Sequence, residues 1–156
     1  MINSFKGDYS FLSNMHRFSK PIIFDSMDFF TVEHAYVAAK TTDLNERIHI
    51  QNLESPYQVK KYGRTLKLPS YWDNVKFILM SNLVLQKFQN NEDLKQLLLD
   101  TNGEVLVEGN TWNDRYWGQC PIGVGENNLG NLLMSTREVL KLNLQQRSTE
   151  NEKTTF

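Results

Sequence analysis

The sequence predicts a single, mostly helical domain with a few short strands. Three observations predict it. Five segments carry helix starts, stops or apolar residues at helical spacing, two short apolar runs flank the polar pair Asp25-Ser26, and 156 residues is one domain's length. A chain of that length holds a core without metal or disulfide staples.

The elements follow in order. Phe5 to His16 mixes aromatics with Gly7, Ser10, Ser13 and Asn14, which predicts a short strand and then a turn. Pro21 to Phe24 and Met27 to Phe30 predict a β-hairpin about Asp25-Ser26. Thr31 is a helix N-cap, followed by the apolar stripe Val32, Ala35, Tyr36 and Ala39. Glu33, Val37 and Lys40 take the other face. Glu33 and Lys40 are two turns apart, roughly 10 Å along the axis, so both can reach one bound molecule. Ser55-Pro56 starts a short helix that Gly63 stops. Ser70 with Asp73 resembles a weakened capping box, and Trp72, Val75, Leu79 and Leu83 form the stripe of the longest helix, to about Phe88.

Asn91 caps a further helix with Leu94, Leu97 and Leu98 inward, and Thr101-Asn102-Gly103 ends it. Glu104 to Glu108 reads as a short strand. Gly109 to Asn127 has no period; its two tryptophans argue for an ordered, functional loop. Asn127 or Asn128 caps the last helix, with Leu129, Leu132, Leu133, Thr136 and Leu140 inward. Residues 143–156 are polar and predict a disordered tail, which leaves 1–142 as the domain.

Composition narrows the function classes. A net charge of -1 argues against broad binding of nucleic acid or anionic membrane, and leaves room for a local basic site. The lone Cys120 excludes an intrachain disulfide and any multi-cysteine zinc site, and His16, His34 and His49 show no ligand spacing, so no metal is expected. No apolar run approaches a membrane helix and the first residues make no signal peptide, which predicts a cytoplasmic protein.

Three groups set polar residues among aromatics and glycines: Phe11 to Asn14, Glu33-His34 with Lys40, and Glu108 with Asp114 to Gly118. Glu33, His34 and Lys40 read equally as a solvated helix face or as a carboxylate and an amine lining a pocket. A desolvated lysine can become a nucleophile toward a carbonyl, and a part-buried glutamate can move protons. Glu108 is an edge charge or a catalytic carboxylate. Asp114, between Trp112 and Trp117, is a turn former or a carboxylate beside a stacked heterocycle. Gly123 to Gly130 places glycines before a helix start, where backbone N–H groups can hold a phosphate. Arg64 and Arg137 are candidate phosphate partners or plain surface arginines.

These pieces occur in an order that resembles the NADAR, or YbiA-like, family. The resemblance rests on Phe11-Leu12-Ser13-Asn14, Val32 to Tyr36 with Lys40, Gly63-Arg64, Trp72, Lys87-Phe88, Leu106 to Glu108, Asp114, Trp117-Gly118, Asn128 to Gly130, Leu133-Met134 and Arg137. It covers roughly Phe5 to Leu142. The resemblance implies a compact α+β domain with a polar pocket and an N-glycosidase that needs no cofactor or metal. The implied substrate is a ribosylated base: ADP-ribosylated guanine in nucleic acid, or a phosphorylated ribosylamino-pyrimidine of riboflavin biosynthesis. Carried onto this chain, it makes Glu33, Lys40, Glu108 and Asp114 catalytic candidates. Ser13, Asn14, His34, Arg64, Trp72, Trp117, Gly118, Asn128 and Arg137 are substrate-binding candidates. The alternative is a non-catalytic module that binds ADP-ribose or a related nucleotide.

Overall fold

The computed structural model describes residues 1–155 and is α+β, mostly helical, with one small sheet. The chain divides into two compact units, Ser10 to Glu92, and Met1 to Tyr9 together with the chain from Asp93 onward.

In the Ser10–Glu92 unit the predicted hairpin forms. Strands β1 (Ile22–Phe24) and β2 (Met27–Phe29) pair antiparallel, with Ile22 opposite Phe29 and Phe24 opposite Met27. Asp25 and Ser26 both take positive φ, 48° and 62°, the two-residue turn whose twist suits a hairpin. Four helices follow: α1 (Val32–Ala38), α2 (Leu44–Asn52), α3 (Pro56–Gly63) and α4 (Trp72–Asn90). Thr31 caps α1 as expected, its side chain accepting from His34 N. The single apolar stripe, however, is not what α1 shows. Val32, His34, Ala35, Tyr36, Val37 and Ala38 are all buried, because α2, α3, α4 and the hairpin pack around this short helix. Fully burying a side chain such as Val32 or Val37 contributes about 1.5–3 kcal/mol.

Helix α3 ends at Gly63 as expected, and the glycine has a second purpose. Arg64 continues in right-handed helical geometry, and a Cβ on Gly63 would sit 3.0 Å from a Val37 methyl. The glycine lets α3 close on α1. The expected Ser70 capping box is absent: α4 starts behind Tyr71 with no side-chain cap.

In the other unit, α5 (Glu92–Asp100) buries Leu94 and Leu98, but Leu97 is exposed. The expected strand at Glu104–Glu108 is reduced to isolated bridges, Ile2 with Leu106 and Gly109 with Gln119. The first predicted strand, near Phe5, is instead a 3-10 turn over Gly7–Leu12. Helix α6 (Asn128–Thr154) buries Leu129, Leu132, Leu133, Thr136 and Leu140 as expected. It does not stop at Leu142: the segment expected as a disordered tail is helical to Thr154 and mostly exposed, while Phe156 lies outside the described residues. Among the described residues no helix is long and apolar enough to cross a membrane.

Candidate active site

The candidate residues fall into two groups, one in each unit. In the Ser10–Glu92 unit, α1 ends at Ala38, so Lys40 stands on the turn beyond it rather than on the helix. Its backbone N–H still reaches Val37 O at 3.0 Å. The Lys40 Nζ lies 5.1 Å from the centre of the Tyr36 ring and 5.9 Å from that of Trp72. The two rings are themselves 5.2 Å apart and tilted by 54°. An ammonium above such faces is attracted by their negative π surfaces. Burial nevertheless holds the Lys40 ammonium below its ordinary value; the Glu33 carboxylate opposes this, and Lys60, Arg64 and Lys76 add to it. The amine is therefore easier to deprotonate than a lysine in water.

Glu33, in the first turn of α1, is tied to the predicted loop by its N–H, which donates to Asn14 O at 3.1 Å. That loop is held from α4. The buried Lys87 donates from Nζ to Ser13 O at 3.0 Å, and the Asn14 side chain reaches Met80 Sδ at 3.6 Å. Ser13 Oγ accepts from Met15 N. Ser13, Asn14, Glu33, Tyr36, Lys40 and Trp72 are thus carried by elements packed on α1. Arg64 stays exposed at the end of α3, where its charge acts on Lys40.

His34 is occupied elsewhere. Only 3% exposed, its Nε2 lies 2.7 Å from Leu53 O, an acceptor, so Nε2 carries the proton. Nδ1 then accepts from the Thr31 hydroxyl at 2.6 Å. Both ring nitrogens hold protein atoms, which makes His34 a brace between the start of α1 and the end of α2 instead of a substrate ligand. Burial lowers its pKa, partly offset by the Leu53 bond and reinforced by Arg17. A depressed folded pKa means that the unfolded chain binds the proton more readily, so stability is full above pH ~6.5 and is lost as pH falls below it. Urea denaturation midpoints should therefore drop between pH 7 and pH 5.5, and a His34→Gln variant should lose that part of the slope.

In the other unit, Asp114 builds the turn that carries Trp117. Its Oδ1 accepts from Trp117 N at 2.9 Å and Tyr116 N at 3.2 Å, and the Asn110 amide clasps its backbone from both sides. Trp117 packs edge-on to Tyr116 at 4.7 Å. The expected phosphate cradle before α6 is filled by protein. Consecutive N–H groups of Glu126, Asn127, Asn128 and Leu129 donate to the carbonyls of Arg115, Gly118, Tyr116 and Trp117. Glu108 is anchored to the same start: its N–H donates to the Asn127 side chain, which also donates to Leu106 O. The Glu108 Oε2 is shielded from solvent. The Asn128 side chain donates to Glu126, and Gly118 is buried against Glu108. Arg137 is no surface arginine. It is 4% exposed and donates to Thr101 Oγ1 and Glu104 O, closing the turn after α5.

Residues 3–141 match the NADAR domain family. The chain belongs to the NADAR family. Among curated relatives, N-glycosidase YbiA of Escherichia coli (strain K12) is 37% identical over 137 residues, covering 86% of this chain and 84% of that protein. N-glycosidase Npun_R5314 of Nostoc punctiforme is 37% identical over 116 residues, 71% of this NADAR chain and 74% of that protein. The chloroplastic riboflavin biosynthesis protein PYRR of Zea mays is 34% identical over 119 residues, of which the chain spans 19% of the maize protein. The NMR structure of E. coli YbiA superposes with a TM-score of 0.80 at 35% identity, covering 92% of this chain and 87% of that one.

Two residues that shape the Lys40 surroundings were not singled out from the sequence. Tyr36 read as one more apolar position of α1. Arg47 sits on α2, a helix whose sparse apolar residues hid it; the start signal was Asp43, whose side chain caps Asn45 N.

Proposed function

We propose that this NADAR protein cleaves the bond between a ribose carbon and a base nitrogen, with Lys40 as the reacting amine and Glu33 as its proton partner. The chain is a hydrolase acting on N-glycosyl bonds, in line with the names its relatives carry. The maize relative is named for riboflavin biosynthesis, and the substrate class we propose is a phosphorylated ribosylamino-pyrimidine. The observation that carries the reading is the Lys40 amine itself, held above two aromatic faces, partly desolvated and under the field of Glu33.

Breaking an N-glycosidic bond leaves positive charge on the sugar and negative charge on the departing base. A protonated Lys40 relieves the second by giving its proton to the base. A neutral Lys40 takes another route: Nζ attacks C1 of the ring-opened ribose, the base leaves with a proton, and water then hydrolyses the C1=N bond to free the amine. Glu33 accepts and returns the proton in either case.

The test incubates the protein with a ribosylamino-pyrimidine phosphate and, separately, with ADP-ribosylated guanine in a short DNA strand, following sugar release. Turnover of the pyrimidine is expected, and Glu33→Gln should slow it. Silence on both substrates would sink the reading, and tight ADP-ribose binding without turnover would replace it with a binding module. Borohydride added during turnover should leave a reduced sugar on Lys40, seen as a peptide mass increase, if the amine attacks carbon. An unmodified Lys40 peptide assigns the proton-donor route.

A further inference from the structure

The turn that carries Lys40 has a clamp of its own. Beyond Ala38 the last carbonyls of α1 lack the partners that a longer helix would supply. One side chain joins the last of them to a carbonyl beyond the helix. Arg47 Nε, reaching across from α2, donates to Thr41 O at 2.8 Å and to Ala38 O at 3.2 Å. These two carbonyls bracket Ala39 and Lys40. The direct backbone bond across the same span, Thr41 N to Ala38 O, is long at 3.4 Å, so the guanidinium is the better tie.

The clamp is itself fixed. Arg47 is 9% exposed, its Nη1 is ion-paired with Asp25 in the hairpin turn, and its Cζ lies 4.9 Å from the centre of the Phe24 ring. A second tie runs parallel: the Thr41 hydroxyl donates to Glu46 Oε2 at 2.6 Å and accepts from Asp43 N at 3.1 Å. The main chain on either side of Lys40 is therefore gripped from α2, while its amine rests on Tyr36 and Trp72.

We propose that Arg47 is a positioning residue for the Lys40 amine, setting where Nζ points by pinning the carbonyls on both sides of it. This rests on the reading that Lys40 reacts. An arginine suits the task because Nε serves the carbonyls while Nη1 serves Asp25 at the same time. A lysine has a single head and cannot serve both. Reacting groups tolerate little misplacement: about 1 Å can cost 10²-fold in rate. The charged groups acting directly on Lys40 are Glu33, Lys60, Arg64 and Lys76, so loss of the clamp acts through geometry.

The test uses Arg47→Lys and Arg47→Gln, with Asp25→Asn as a milder variant that loosens only the exposed end of the clamp. Ile50→Val on the same helix serves as a stability control. Two readouts are taken well below each variant's Tm: kcat and KM for the substrate that turns over, and the pH dependence of acetic anhydride labelling at Lys40, read by mass spectrometry without substrate. Arg47→Lys should lower kcat about tenfold or more with KM within about threefold, and should move Lys40 labelling to higher pH as the freed amine meets water. Asp25→Asn should shift both in the same direction by less. Wild-type kcat and labelling in Arg47→Lys, or changes no larger than those of Ile50→Val, would overturn the proposal. If Arg47→Lys does not fold, Asp25→Asn decides on the same two readouts. A Lys40→Arg enzyme that keeps its turnover would instead overturn the role of Lys40, while the labelling shift would still report whether Arg47 aims it.

Discussion

Replacing Lys40 by arginine should lower kcat by about 10²–10⁴-fold, the range over which a positioned acid, base or amine accelerates a reaction. The choice of arginine matters. It keeps the positive charge over Tyr36 and Trp72, so it preserves any purely electrostatic service to a phosphate or a leaving base. It cannot supply a neutral amine at any working pH, because guanidinium stays protonated. A severe loss in Lys40→Arg therefore points to proton transfer or attack on carbon, and a mild one to charge alone. The pH profile separates the first two. The Lys40 pKa is lowered, so the neutral amine accumulates at a pH below that of an ordinary lysine. If Nζ attacks C1, kcat rises with pH through that lowered pKa and then levels. If Nζ donates its proton, kcat falls over the same interval. Glu33→Gln sharpens the result. Removing the carboxylate removes the one acidic group among the described residues that acts on Lys40, which drives the amine's pKa lower still and moves the whole profile toward acid. A Lys40→Arg protein with wild-type turnover would exclude both chemical roles.

Much of this architecture is visible in the sequence because short-range signals decide it. Asp25-Ser26 between two apolar runs can hardly be anything but a tight turn, and Thr31 and Ser55 cap helices with the bonds their side chains allow. What stays hidden depends on residues far away in the chain. The short α1 shows a stripe by spacing, but it is buried all round since three helices and a hairpin surround it. Arg47 gives no signal in the sequence and Arg137 reads as a phosphate partner or a surface arginine, because each grips main-chain carbonyls, which carry no sequence signature. The glycines before α6 read as a phosphate loop, but the N–H groups meet the carbonyls of residues 115–118 instead. The candidate site follows the same division. Lys40 and Glu33 are marked as a pair by their chemistry and by the family resemblance, although the pattern alone fits a solvated face equally well. That His34 is locked by Thr31 and Leu53, and that Asp114 spends one oxygen on its own turn, emerge only from the folded geometry.

Gly118→Ala should be a severely damaging single-methyl change. Gly118 is buried, and a Cβ there would land on the Glu108 carbonyl oxygen, with the Asn110 amide nitrogen 2.7 Å away and the Glu108 Cγ 3.0 Å away. The flexible Asn110 and Glu108 side chains can give; the carbonyl cannot, because it already accepts from Gln119 N at 2.9 Å in one of the bridges that join the two chain segments. Overpacking of this kind costs about 1–3 kcal/mol, and the backbone clash puts this case at the upper end. For a domain of this size that corresponds to a Tm fall of about 6–12 °C. The effect should reach beyond stability. Gly118 O accepts from Asn127 N, and Asn127 in turn holds Glu108 N and Leu106 O, so displacing Gly118 disturbs the support of Glu108 along with the turn that presents Trp117. Thermal unfolding and Trp fluorescence of Gly118→Ala should both change, whereas Gly103→Ala, whose Cβ would meet open space, should alter neither by comparable amounts. A Gly118→Ala protein with wild-type Tm would mean that the segment shifts freely, and that the close packing on Glu108 contributes nothing to holding its carboxylate in place.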